Sequence, residues 1–202
     1  MSDTEYQFTK DWFNRAPEVW KQLIPMMPER RAFLEIGSFE GRSMVWTVEN
    51  MMDDASHIHC IDTWEGGEEH SAEDMAAVEA RFDENATTAN IHYGGSRLVG
   101  KFKGTSTQWL ARFLDTPGCT DHEYDFIYID GSHIAKDVLT DACMAWPLLK
   151  PKGLMVFDDY MWGNPRDILH RPKPAIDAFC NLFAEEADIV HVGYQLVVRK
   201  RG

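Results

Sequence analysis

Two short apolar runs, each closed by acid, most constrain what this chain can fold into. The first is Phe126-Ile127-Tyr128-Ile129, followed by Asp130; the second is Leu154-Met155-Val156-Phe157, followed by Asp158 and Asp159. Apolar runs without polar alternation suit strands buried on both faces, as in a parallel sheet covered by helices on each side. Between them, Val138, Leu139, Ala142, Ala145, Trp146 and Leu149 recur at helical spacing. This predicts a helix over 135–146 with one buried stripe. Pro147 and the Pro151-Lys152-Gly153 step break it before the second run. A strand, a crossover helix and a parallel strand put both strand C-termini at one sheet edge. Asp130, Asp158 and Asp159 are therefore expected to converge where open α/β sheets bind their ligands.

An upstream unit aims at the same edge. Ala32-Phe33-Leu34-Glu35-Ile36 reads as a strand, and 37–43 (GSFEGRS) as a glycine-containing turn into a helix that carries Met44, Val45, Val48, Met51 and Met52 at helical spacing. A second strand, 57–61, ends at Asp62. Glycine behind a strand lets a ligand approach the backbone, and a helix N-terminus offers free amides. An acid ending the second strand can accept from both ribose hydroxyls, so the unit has the layout of a nucleotide-binding half.

Elsewhere the pattern continues as α/β. Loop 63–71 lies at the same edge. Ser71 with Asp74 is similar to a capping box and predicts a helix to about residue 86, with Met75, Val78 and Phe82 inward. A short strand is read at 98–102. Gly104-Thr105-Ser106 opens a helix holding Trp109, Leu110, Phe113 and Leu114, with Thr105 or Ser106 as its cap. After a loop at 163–174 and a helix over 175–184, runs 189–192 and 194–199 meet through Gly193 as an antiparallel pair at the sheet edge. The first thirty residues read as interrupted helix. Trp12, Phe13, Ala16, Val19, Trp20 and Leu23 mark its apolar faces, and Pro17 starts a second helix at its first turn. This appendage is open to three roles, a lid, a homo-oligomer contact or packing, of which packing is favoured. The expected fold is α/β: a Rossmann-like doubly wound, mostly parallel seven-stranded sheet with an antiparallel C-terminal strand, spanning 31–202 behind a helical appendage at 1–30.

Length fits one domain: 202 residues suffice for a full core. A formal net charge of −13 argues against a nucleic-acid backbone or an anionic membrane as partner. No apolar run is long enough to span a bilayer, and the N-terminus lacks a basic region followed by an apolar one. Cys60, Cys119, Cys143 and Cys180 form no CxxC pair and suit reduced thiols in a cytoplasmic protein, with Cys60 and Cys143 on core elements.

The glycine spacing discriminates among nucleotide ligands. Gly37 and Gly41 form GxxxG, whereas the dinucleotide fingerprint needs GxGxxG, and Phe39 would crowd a pyrophosphate. No P-loop lysine is present. These residues resemble class I S-adenosylmethionine-dependent methyltransferases, in the branch similar to catechol O-methyltransferases and to antibiotic and sugar O-methyltransferases. The resemblance covers about residues 32–200. Glu35, Gly37, Gly41 and Ser43 resemble the family's first motif, which implies that this turn, with Ser38, holds the methionine part of the cofactor. Asp62 with Thr63 matches the ribose position, and Gly104-Thr105-Ser106 resembles the segment beside adenine. Asp130, also at the cofactor, aligns with Asp158 and Asp159 as the magnesium ligands, the third being often Asn in the catechol enzymes. His133 falls where those enzymes carry a catalytic lysine; the sugar-type branch tends to have histidine there. The closing run 187–200 also looks like that branch.

The resemblance implies an S-adenosylmethionine-dependent O-methyltransferase, assisted by Mg2+ or another divalent cation, acting on a small hydroxylated acceptor such as a sugar, phenol or natural product. Methyl transfer from a sulfonium is an in-line displacement that needs an aligned, activated acceptor oxygen. A hard cation held by carboxylates supplies both, and an imidazole such as His133 can take the acceptor's proton. Taken singly, Asp158 or Asp159 could instead cap the next turn, Asp130 the helix after Gly131, and His133 could be a surface or helix-cap residue. Trp64, Tyr160 and Trp162 are candidate pocket walls; His70, His170, Arg42 and Arg166 read as surface residues. Two other functions remain: a cofactor-binding module without catalysis, and an NAD-binding protein.

Overall fold

Every residue of the first strand, β1 (Ala32–Ile36), and of the fourth, β4 (Tyr124–Ile129), is buried, as unbroken apolar runs require. The structure is a computed structural model that describes residues 6–67, 73–116 and 124–202. The remaining strands are β2 (Ser56–Asp62), β3 (Arg97–Lys103), β5 (Leu149–Phe157), β6 (Ala187–Val192) and β7 (Leu196–Lys200). They form one sheet in the order β3-β2-β1-β4-β5-β7-β6. Strands β1 to β5 pair in parallel, and β7 runs antiparallel to both β5 and β6. The seven-stranded, doubly wound architecture is thus the expected one.

Among the described residues six α-helices cover the sheet: α1 (Ala16–Leu23), α2 (Arg42–Asn50), α3 (Met75–His92), α4 (Ser106–Asp115), α5 (Ala135–Ala145) and α6 (Lys173–Leu182). Strand alternation splits the apolar residues between two cores. Leu34, Ile36, Ile127, Ile129, Met155 and Phe157 pack with Leu110, Val138, Ala142 and Phe179 of α4, α5 and α6. Phe33, Phe126, Tyr128, Leu154 and Val156 face Trp20, Val45, Val48 and Phe82 of α1, α2 and α3. Trp20 is fully buried and meets Phe126 and Tyr128 edge-on, with ring centroids 5.0 and 4.8 Å apart. The N-terminal segment does pack on the sheet.

Several local expectations are corrected. Residues 6–15 are turn and extended chain, and helix begins only at Ala16, with Pro17 in its first turn. Helix α3 continues to His92, because Asn85 and Ala89 remain buried and Asn90 clamps β3: its side chain accepts from Val99 N at 2.8 Å and donates to Val99 O at 3.3 Å. Asp74 itself caps α3, accepting from Ala77 N at 3.3 Å; Ser71 lies outside the described residues. Strand β5 starts at Leu149 rather than 154, across an irregularity where Leu149 pairs with Tyr124, and Lys152 takes φ +67°. Cys143 points outward from α5 and is exposed, whereas Cys60 is buried as expected; Cys119 is outside the described residues. No helix among the described residues is long and apolar enough to cross a membrane.

Candidate active site

The exits of three parallel strands are tied together at Gly37. Gly37 N donates to Ile61 O at 2.9 Å, and Asp130 N donates to Ile36 O at 2.8 Å. Gly37 has φ +86°, and a Cβ there would lie 2.0 Å from the Asp130 carbonyl oxygen. Gly41 caps α2 at φ +79°, where a Cβ would meet Met44 Cε at 2.8 Å and the Phe82 ring at 3.0 Å. Asp62 organises the turn between them. Its Oδ2 accepts from Ser38 N (2.8 Å) and Phe39 N (2.9 Å), and its Oδ1 from Trp64 N (2.7 Å). Of a carboxylate's roughly four acceptor positions, three are filled, which leaves capacity for about one more donor.

Glu35 lies behind this turn, 1% exposed. Among the described residues neither of its oxygens has a hydrogen-bond partner, nor has the Ser38 hydroxyl. Burial pushes the Glu35 carboxyl up to about 8, against the pull of the nearby Ser38 and Ser43 hydroxyls and with added repulsion from Asp62. The folded chain therefore holds this proton where the unfolded chain has released it. Stability is full below the ordinary carboxylate range and falls as pH rises towards about 8, by about 1.4 kcal/mol per pH unit for a group titrating alone. The ligand-free protein should lose thermal stability from mildly acidic to mildly basic pH. Glu35→Gln should flatten that slope in pH-resolved melting curves; an unchanged slope would rule out Glu35 as its source. Asp130 and Asp141 are raised in the same sense, so some slope persists in the variant.

At the same end of the cleft, Gly104 N donates to Asp62 O at 2.9 Å. Of the two expected caps of α4, Thr105 is the one used, and it forms a full capping box with Gln108. The Ser106 hydroxyl donates to Asp141 Oδ1 at 2.6 Å. Burial raises Asp141 to about 6 against that bond.

The acids at the other strand ends converge on one hydroxyl. Tyr128 OH bonds Asp130 Oδ2 at 2.9 Å and, more closely, Asp158 Oδ2. A phenol has one hydrogen, so it cannot satisfy two ionised carboxylates at once; a carboxyl proton or a cation must relieve the pair. Burial first, then repulsion from Asp158 and Asp159, raises Asp130 well above the usual carboxylate range. Burial and then Asp159 raise Asp158. Asp159 adopts φ +55°, with its Oδ2 2.7 Å from His133 Nε2 and its Oδ1 accepting from Tyr194 OH at 2.7 Å. One donor atom each from Asp130, His133 and Asp159 lie within 4.8 Å of one another. The three aspartates share the edge as expected, but the set with metal-ligand spacing includes His133, while the Asp158 Oδ2 turns towards Tyr128 and Gln195. Clustered, desolvated carboxylates with an imidazole suit a divalent cation.

Both halves open into a single cleft of about 1270 Å³, above the roughly 300–1,000 Å³ usual for one small ligand. Gly37, Ser38, Ser43, Asp62, Thr63, Thr105 and Ser106 line one end, and Asp130, His133, Asp158 and Asp159 the other. Glu35 and Gly41 stand behind the wall. Trp162 lines the cleft with its ring 4.3 Å from that of His133, and His170 reaches it too. Trp64 instead packs on Phe82 and donates to Phe39 O, and Tyr160 turns to Asp177. Arg42 is no solvated arginine: it holds Lys10 O at 2.9 Å and stacks on Phe8. Arg166 is exposed, and His70 is outside the described residues. The sequence reading did not select Tyr128, Asp141, Tyr194 or Gln195. Tyr128 carried a signal, since it precedes Asp130 by two and shares its sheet face.

The profile of a family described as a methyltransferase domain matches residues 34–160. No curated protein sequence matches. Among solved structures, the O-methyltransferase from Bacillus cereus, in complex with S-adenosylhomocysteine, superposes with TM-score 0.63 at 18% identity, covering 92% of this chain and 81% of that one. TomG from Streptomyces achromogenes, involved in tomaymycin synthesis and bound to S-adenosylmethionine, gives 0.68 at 19%, covering 93% and 81%. MycE of the mycinamycin biosynthetic pathway, with Mg and S-adenosylhomocysteine, gives 0.59 at 19%, covering 96% of this chain and 51% of that one. At such identities the likeness is one of fold.

Proposed function

The chain belongs to this methyltransferase-domain family, and from that membership we propose that it moves a methyl group from S-adenosylmethionine to a hydroxyl of a small molecule with the help of a divalent cation. The observation that carries the proposal is the joining of a glycine-bent turn and an acid–imidazole cluster in one cleft large enough for two ligands. MycE, solved with Mg and S-adenosylhomocysteine, and TomG, from a natural-product pathway, lend the cation and the acceptor class support.

Bound, the two groups would supply an electrophilic methyl and a positive charge that lowers the acceptor's pKa. The chain does the rest. Backbone amides of the turn from Gly37 to Gly41, with Ser38 and Ser43, hold the methionine part; Asp62 and Thr63 face the ribose; Thr105 and Ser106 flank the adenine. Asp130, Asp158 and Asp159 hold the cation. His133 takes the acceptor's proton on its imidazole, and Trp162 braces its ring. Excluding water from this cleft strengthens each of these electrostatic contacts.

Calorimetric titration with S-adenosylhomocysteine and NAD side by side, followed by methylation of a panel of sugars and phenols with and without chelator, tests the proposal. Binding of NAD alone would overturn it, and cofactor binding with no product from any acceptor would favour a binding-only module. Asp158→Ala should lower cation-dependent turnover by about 100-fold while leaving S-adenosylhomocysteine affinity intact. Full activity of that variant in excess chelator would remove the cation from the mechanism.

A further inference from the structure

Consecutive residues of the β6–β7 turn grip consecutive acids of the site. Tyr194 OH donates to Asp159 Oδ1 at 2.7 Å, and Gln195 Nε2 donates to Asp158 Oδ2 at 2.9 Å. Gln195 is 5% exposed. Its Oε1 accepts from the indole Nε1 of Trp20 at 2.9 Å.

An indole N–H can only donate, so Trp20 dictates which end of the Gln195 amide faces which neighbour. The oxygen must meet Trp20, and the NH2 must therefore meet Asp158. A flipped amide would set oxygen against the Asp158 carboxylate and N–H against the indole N–H, two repulsions in a buried space. We propose that Trp20 is a positioning residue of the cation site, holding the Asp158 carboxylate in one orientation through the Gln195 amide.

Trp20 is suited to this because it is fully buried among other rings. Besides Phe126 and Tyr128, the rings of Phe13 and Trp46 abut it at 4.8 and 5.7 Å. It also touches both side chains that bond Asp158 Oδ2: Gln195 by hydrogen bond and Tyr128 by ring edge. The orientation propagates one residue further. Asp158 Oδ1 accepts from Asp159 N at 2.7 Å, and that bond helps fix the left-handed backbone that aims Asp159 at His133. The N-terminal segment thus contributes to the site through a group that never meets a ligand.

The inference rests on the divalent-cation assignment proposed above. Its test is Trp20→Phe, which keeps an aromatic ring in the core and removes the N–H donor together with part of the indole's volume. Mn2+ affinity is measured by calorimetry with S-adenosylhomocysteine present, beside the affinity for S-adenosylhomocysteine itself and the thermal midpoint. Mn2+ binding should weaken roughly 10-fold with S-adenosylhomocysteine affinity unchanged. In a Gln195→Leu background, which should show the same loss by itself, Trp20→Phe should add nothing. A lower midpoint with wild-type Mn2+ affinity would make Trp20 a packing residue and overturn the proposal. A Trp20→Phe effect undiminished in Gln195→Leu would overturn the route through the amide. If Trp20→Phe fails to fold, Gln195→Leu decides alone: wild-type Mn2+ affinity there overturns the proposal. A wild-type protein that takes up no Mn2+ would overturn the cation assignment and this inference together, a pattern distinct from the others.

Discussion

Gly37→Ala should be the most damaging single change in the chain, abolishing S-adenosylhomocysteine binding and lowering the thermal midpoint by about 10 °C or more. A left-handed backbone with a side chain costs roughly 1–3 kcal/mol, and here the added atom also has nowhere to go. Its nearest neighbours are the Asp130 carbonyl oxygen at 2.0 Å, the Asp130 carbonyl carbon at 2.5 Å and Gly131 Cα at 2.7 Å. All three are backbone, so no rotamer change can yield, and β1 and β4 must part where Asp130 N bonds Ile36 O. Gly41→Ala is the internal control. Its Cβ would press on Met44 Cε and the Phe82 ring, side-chain atoms that can shift, so a smaller loss is expected. Melting curves and calorimetry of both variants measure this; a Gly37→Ala protein with unchanged midpoint and affinity would refute the crossing geometry.

His133→Ala should lower turnover by about 10²–10⁴-fold and leave S-adenosylhomocysteine affinity where it was. The imidazole stands between two roles. Its Nε2 is 2.7 Å from Asp159 Oδ2, close enough to join a cation's ligand set, and its ring is braced by Trp162 in the cleft. The variant separates these roles. A base that is not a ligand gives lost turnover, intact Mn2+ affinity and a rate that no longer rises with pH as an imidazole loses its proton. Lost Mn2+ affinity together with lost turnover would reassign His133 as a ligand, and an unchanged pH–rate profile would count against the base.

What could be read in the sequence follows from what burial does to residue order. Strands covered on both faces leave runs such as Phe126 to Ile129, and a crossover helix between two of them fixes which ends meet; hence Asp130, Asp158 and Asp159 could be placed together without coordinates. Gly37 and Gly41 were legible because the turn's backbone demands residues without a Cβ. Illegible were contacts between distant segments whose residue types carry no pattern. Gln195 differs from a surface glutamine only by its neighbours, and nothing near Trp20 announces a partner 175 positions away. The Asp62 carboxylate shows a related gap: position marks it as a ligand group, but only coordinates show that three backbone amides already occupy it. Trp64, Tyr160 and Trp162 are alike as loop aromatics, and backbone direction alone sends one to the cleft and two to the interior. Helix α3 outran its expected end because Asn90 acts as a clamp for a neighbouring strand, a tertiary role with no periodic signature.

The Trp20–Gln195 contact also sets a schedule for biosynthesis. A ribosome delivers Trp20 long before Gln195, and loop closure across such a separation is slow and entropically costly. The glycine turn and its parallel strands can dock while the remainder is still being translated. The acid cluster stays without the clasp on Asp158 and Asp159 until Tyr194 and Gln195 have left the exit tunnel. The two acids therefore receive their last side-chain hydrogen bonds from the final stretch of chain to be made.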